Sequence, residues 1–241
     1  MKDNSYLLPA GILALGLIIG IAIFSWAWSD ARSSDQTITV TGSAKKEITS
    51  DLGILHGTIG VQAATPDASY RALVSQRAIL LDYLKEKGFP ADKVKLYPVT
   101  NYQVQEFDEN GRQIGIKGYA YNQRVEVQSD DVKRIESMSL DIASVVEQGV
   151  FFTVDPPEYH YTKLSGLKIE IQAAAAKDAM VRADRIADAT DRSLGALRNA
   201  RMGVLQITAK NSNEVSDYGV NDVSSIEKEI TAVVSASFQI R

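Results

Sequence analysis

The sequence predicts an α+β fold, a largely antiparallel sheet with helices packed on it, preceded by one transmembrane helix. Three observations carry this reading. Leu7–Trp28 is apolar and free of charge. Beyond it, segments with period-two alternation are separated by segments with helical periodicity, as when hairpins alternate with helices. The last segment is the clearest: Ile230, Ala232, Val234, Ala236, Phe238 and Ile240 share one face, alternating mostly with Thr, Ser and Gln.

The apolar stretch comes first. About 20 apolar residues at 1.5 Å each span a hydrocarbon core. Trp26 and Trp28 fall where an aromatic belt at the membrane interface would lie. Gly16 and Gly20 have the spacing that lets two membrane helices approach. A cleaved signal peptide usually has a shorter apolar core and a more basic start. Here only Lys2, beside Asp3, precedes a longer core, and residues 1–29 read as an uncleaved signal-anchor. Lys2 and the free amine against Asp30, Arg32 and Asp35 favour an inside N-terminus. The expected location is a bacterial inner membrane, single-pass, with the C-terminal domain in the periplasm. Residues 30–36 read as a polar linker, and 37–241 as the folded domain.

Ile38–Gly42 and Ile54–Val61 alternate as strands. In the second, Leu55, Gly57, Ile59 and Val61 form one face, and His56 lies on the less apolar one, as a solvated or hydrogen-bonded strand histidine. Thr65-Pro66-Asp67 starts a helix: Thr caps, Pro suits the first turn, and Asp faces the positive dipole end. Leu73, Leu80 and Leu84 lie in its apolar stripe, and Gly88 ends it.

Val94–Phe107 and Ile114–Val127 form a hairpin around Asn110-Gly111, a strong turn signal. The alternation changes phase near Gly118, which predicts a bulge. Ser129 is the expected cap of a helix with Val132, Ile135, Ile142 and Val145 buried, stopped by Gly149. Val150–Val154 is a strand. After Pro156-Pro157, Tyr159–Tyr161 is a loop or a second short strand.

The third helix of the domain spans roughly 167–191. Ala175, Ala179, Ala183 and Ala187 recur every four residues and allow close backbone packing. Asp178–Arg182 and Asp188–Arg192 are expected i,i+4 pairs. Met202–Ala209 is a strand, Asn211–Ser225 a long polar loop, and the final strand follows. The predicted order is β-β-α-β-β-α-β-α-β-β.

Composition narrows function. The 241 residues are 45% hydrophobic and 23% charged, as in an ordinary globular domain. The net charge of −4 leaves no basic surplus for nucleic acid. No cysteine is present, which excludes disulfides and thiol chemistry, and there are two histidines, His56 and His160. No P-loop, nucleophile elbow or H-E-x-x-H motif occurs. No cofactor, metal site or catalytic residue is expected.

Several stretches carry a resemblance. Ile38–Ala44 matches an I-x-V-x-G-x-G/A strand, and Gly118–Val125 is similar to G-Y-x-A-x-N-x-V. The Ala-rich helix around Ala175–Ala183 and the V-V-x-x-x-F end also fit, in order and spacing. Residues 37–241 thus resemble the SIMPL-domain family. The resemblance implies an extracytoplasmic bacterial α+β protein of poorly defined activity. Members are linked to oxidative-stress defence, and at least one forms a ring-like oligomer. Many members have a cleaved signal peptide, whereas this chain reads as anchored.

The expected function is therefore a non-enzymatic envelope module, a homo-oligomer acting in assembly or interaction, with the lipid bilayer as partner of its N-terminal helix. One alternative is a binder of small lipid or cell-wall fragments, using tyrosines such as Tyr97, Tyr119 and Tyr121. Another is an uncharacterised hydrolase. Long polar loops often carry function, which makes Tyr159, His160, Tyr161, Asn213 and Tyr218 the candidate interaction residues.

Overall fold

A computed structural model describes residues 7–33 and 36–241, with the side chains of 7–10 and 29–33 left undescribed. Lys2 and Asp3, on which the orientation argument rests, lie outside the described residues, as do positions 34 and 35 of the linker. The fold is α+β, and the described residues form two antiparallel sheets and four α-helices. The chain divides into two compact units. One comprises residues 1–45, 166–205 and 231–241, the other residues 46–165 and 206–230.

The first helix, α1 (Leu7–Ser33), contains the one segment among the described residues long and apolar enough to cross a membrane, Gly11–Trp28. None of that segment is buried by protein. Trp26 and Trp28 are exposed at its end, and Trp28 stacks on Phe24 at 5.8 Å between ring centroids. The helix continues to Ser33, one turn into the segment read as linker.

In the first unit, strand β1 (Thr37–Thr49), strand β7 (Leu194–Met202) and strand β9 (Glu227–Ile240) pair in the order β1-β9-β7. The even-numbered face of β9 is buried from Ile230 to Phe238, as its alternation predicted; burial also takes in Lys228, whereas Ile240 at the other end is only half-buried. Helix α4 (Leu164–Ala189) buries Leu167, Ile171, Ala175, Ala179, Ala183 and Ala187. The alanine spacing has a direct consequence at Gly42 of β1. A Cβ there would lie 2.2 Å from the Ala179 nitrogen and 2.4 Å from the Ala175 carbonyl oxygen. Arg182 pairs with Asp178 as expected, at 2.8 Å. Arg192 does not pair with Asp188. The helix stops at Ala189, so i,i+4 geometry is lost, and Arg192 donates to Gln36 Oε1 instead.

The second unit is built on β2 (Leu52–Ala63), β3 (Val94–Phe107), β4 (Gln113–Ser129), β5 (Phe152–Val154) and β6 (Glu158–His160). The order is β3-β4-β2-β5, with β6 also pairing β2. Helices α2 (Pro66–Glu86) and α3 (Val132–Asp141) supply the other half of its core, in which Leu55, Ile59, Leu73, Leu80, Leu84, Val125, Val127 and Ile135 are buried. Thr65 caps α2 by accepting the Ala68 N–H. The α3 cap is Asp131, which accepts the Arg134 N–H, while Ser129 accepts the Asp131 N–H one step earlier. Residues 142–148 tighten into a 3₁₀ segment that ends at left-handed Gly149. Strand β8 (Gln206–Ala209) pairs with β9.

The element order therefore contains two strands beyond the ten elements predicted. Tyr159 and His160 belong to β6; the expected strand 202–209 is realised only as β8 over its second half, and β7, which ends at Met202, is a strand the sequence did not predict. Most of β7 is exposed, so it shows no alternation, and its pairing with β9 carries register shifts around Leu197.

Candidate functional site

Lys228 holds an inward position on β9, in phase with Ile230 and Ala232, and its side chain is only 2% exposed. A buried ammonium is costly unless hydrogen-bonded. Its Nζ donates to the carbonyl oxygens of Tyr159 and Asp222. This ties β9 to β6 and to the end of the polar loop. Neighbouring backbone bonds complete the join: Tyr159 N–H donates to Val223 O, and Asp222 N–H donates to Ile207 O.

A cavity of about 50 Å³ lies beside the amine, lined by Tyr159, His160, Tyr161, Asn221, Asp222 and Lys228 among others. Asp222 Oδ1 accepts both the N–H and the hydroxyl of Ser224, whereas its Oδ2 is buried without a hydrogen-bond partner. Burial pushes the Lys228 amine below its ordinary pKa, against the pull of the Asp222 carboxylate. Burial would raise Asp222, but the Ser224 and Ser225 hydrogen bonds and the Lys228 charge outweigh it, and its pKa falls. Burial, then the nearby Glu136 charge, raises the Tyr159 phenol. The space suits a water bridging polar groups and is far below the roughly 300–1,000 Å³ of ligand pockets. The amine is sealed and used as a donor, which makes it a clamp and not an accessible nucleophile.

The structure brings Tyr159, His160 and Tyr161 together at this cavity. His160 Nε2 is 3.2 Å from Glu158 Oε2. Asn213 and Tyr218 do not line it; both are exposed, Tyr218 at 97%. Lys228 and Asp222 were missed. The signal for Lys228 was legible, since it extends the apolar face of the final strand by one more alternate position. His56 lies on the half-buried face of β2, with Nδ1 unbonded and 3.9 Å from Glu126 Oε2, which accepts the Tyr97 hydroxyl. Among the described residues, no three His, Asp or Glu converge as a metal site requires.

A second feature is the hairpin of β3 and β4. Strand β2 ends at Ala63 opposite Tyr119, so beyond Gly118 the hairpin continues as a two-stranded ribbon. The predicted bulge is there: Val104 pairs with Gly118, and Gln105 with Ile116, leaving Lys117 over. At the tip Asp108 Oδ1 accepts the N–H groups of Asn110 and Arg112, and Gly111 has φ +74°. Phe107, Ile114 and Ile116 are exposed along this arm, and Tyr102, opposite Ala120, is exposed just before it begins.

A family model described as a protein of unknown function (DUF541), SIMPL, matches residues 38–238. The chain belongs to the SIMPL family. No curated protein matches this SIMPL chain. Among solved structures, it is similar to a de novo designed protein, Foldit4, at 14% identity and TM-score 0.22, covering 42% of this chain and 93% of that one. It is similar to an amidase of the hydantoinase/carbamoylase family from Burkholderia multivorans at 12% identity and TM-score 0.24, covering 50% and 29%. An uncharacterized conserved protein from Listeria innocua gives 11% identity and TM-score 0.21, covering 79% and 91%. The SIMPL chain spans about 29% of the length of that amidase. At such TM-scores these likenesses carry no argument about function.

Proposed function

We propose that this SIMPL protein is a membrane-tethered, extracytoplasmic module of the bacterial inner membrane that acts by homo-oligomeric assembly and not by catalysis. The observation that carries the reading is the two-stranded arm. An isolated two-stranded ribbon is marginally stable in water. This one also holds Phe107, Ile114 and Ile116 in solvent, next to exposed Tyr102. Exposed apolar side chains gathered on one projecting element mark an interaction surface. The fully exposed apolar segment of α1 supports the tether, because only lipid offers such a surface a match.

The test is light-scattering mass measurement of the detergent-extracted full chain. A defined oligomer is expected, and Phe107→Ser with Ile114→Ser and Ile116→Ser shifts it to smaller species with unchanged circular dichroism. A wild-type monomer at micromolar concentration overturns the assembly reading.

A further inference from the structure

The two units differ in charge. Outside the anchor, residues 36–45, 166–205 and 231–241 hold nine Lys/Arg and five Asp/Glu, a net of +4. Residues 46–165 and 206–230 hold 15 Lys/Arg and 22 Asp/Glu, a net of −7. The basic surplus thus belongs to the unit whose first strand follows the apolar helix.

That unit also carries an open groove of about 440 Å³ between β1 and α4. Val40, Thr41, Val181 and Ile186 line it, with Arg182 and Arg185 beside them. Val181 and Ile186 are 46% and 45% exposed, unlike the buried alanine stripe of the same helix. Arg182 uses its Nε–H on Asp178, whose carboxylate also accepts the Ser43 N–H. Asp178 is therefore engaged on both sides, and Ser43, then Arg182, hold its pKa low against desolvation. Arg185 forms no hydrogen bond or ion pair among the described residues.

Val40 is the seventh residue after Ser33, where α1 ends. At roughly 3.5 Å per residue, that keeps the groove within about 25 Å of the helix end. An apolar trough flanked by guanidinium groups, held this close to a bilayer, matches a lipid phosphate above its first acyl carbons.

We propose that the groove between β1 and α4 seats on anionic phospholipid of the membrane that holds α1. Val181 and Ile186 enter the headgroup region, and Arg182 and Arg185 meet lipid phosphates. The inference rests on the tethered reading and adds a second, electrostatic contact to it, so that one face of the basic unit lies against the bilayer.

The test uses the full chain in nanodiscs of phosphatidylcholine alone or with about one-third phosphatidylglycerol. The native chain has no cysteine, so Ile186→Cys takes a single nitroxide. Its relative accessibility to oxygen and to a nickel chelate reports lipid contact. Lipid-like accessibility is expected in the anionic discs only. Arg185→Gln, which breaks no hydrogen bond or ion pair among the described residues, lowers the lipid-contacting equilibrium about fivefold, and Arg182→Gln with it about 25-fold, at roughly fivefold for each arginine. Equal accessibility in both discs, with the chain resisting carbonate extraction, overturns the proposal and leaves the tether standing. Extraction by carbonate overturns both. Dipolar broadening between labels assigns the face to a second copy and overturns the lipid contact.

Discussion

The ammonium of Lys228 donates to the carbonyl oxygen of Tyr159, 69 residues earlier in the chain. One buried side chain thereby joins β9, β6 and the Asn211–Ser225 loop, and the acceptors would be left dry without it.

Replacing Lys228 by Met keeps the length and removes both donors. Orphaned buried carbonyls cost about 1–3 kcal/mol each when water cannot reach them. The expected loss is about 2–3 kcal/mol in urea unfolding of the detergent-solubilised chain. Hydrogen exchange at the Tyr159 N–H, bonded to Val223 O, should accelerate more than exchange in α2.

The same amine gives a pH signature. Its folded pKa lies below the ordinary 10.5 of the unfolded chain. Between those two values the unfolded state binds more protons, so stability rises with pH across that window. Tyr159 acts the other way: its pKa is raised from 10.0, so its contribution is lost as pH rises through the folded value. Lys228→Met isolates the first effect. The variant's stability-pH curve should lack the rise below 10.5 that the wild type shows, measured by urea midpoints.

Gly42→Ala places a methyl against the backbone of α4, at 2.2 Å from the Ala179 nitrogen. Backbone atoms cannot swing aside, so helix and strand must separate. The expected cost is about 3 kcal/mol, at the upper end of overpacking effects, read as a lowered urea midpoint. An unchanged midpoint would contradict the packing of β1 on α4.

Gly57→Ala meets a side chain instead. Its Cβ would lie 2.1 Å from Cζ of Phe152, which pairs with Ile59 of β2 and reaches diagonally over Gly57, whose own partner is Val154. The ring is the yielding partner, so the expected cost is smaller, about 1–2 kcal/mol. Phe152→Leu in the same chain should recover part of it, and the double-mutant cycle should show a coupling of at least about 0.5 kcal/mol.

Much of this fold was legible. The alternation from Ile230 to Phe238 matches the buried face of β9, and the phase slip near Gly118 matches a register shift in the β3–β4 ladder. The alanine spacing announced close packing, and Gly42 is its counterpart. The site was less legible. The sequence offers Tyr159, His160 and Tyr161 as interaction residues on a loop or a short strand, and they meet at one cavity, but Asn213 and Tyr218 of the same proposal stand in solvent. Lys228 was passed over because a lysine is ordinarily exposed.

What the residues determined alone is local: which stretch suits lipid, which segments repeat every two or every 3.6 positions, and where Asn110-Gly111 turns the chain. Those properties depend on near neighbours along the backbone. Tertiary structure decided the rest. Leu194–Met202 is a strand because β9 supplies its hydrogen bonds, and Lys228 is a clamp because Tyr159 and Asp222 bring carbonyls to it. Backbone pairing and burial depend on atoms contributed from far along the chain, and no local pattern records which distant residue will provide them.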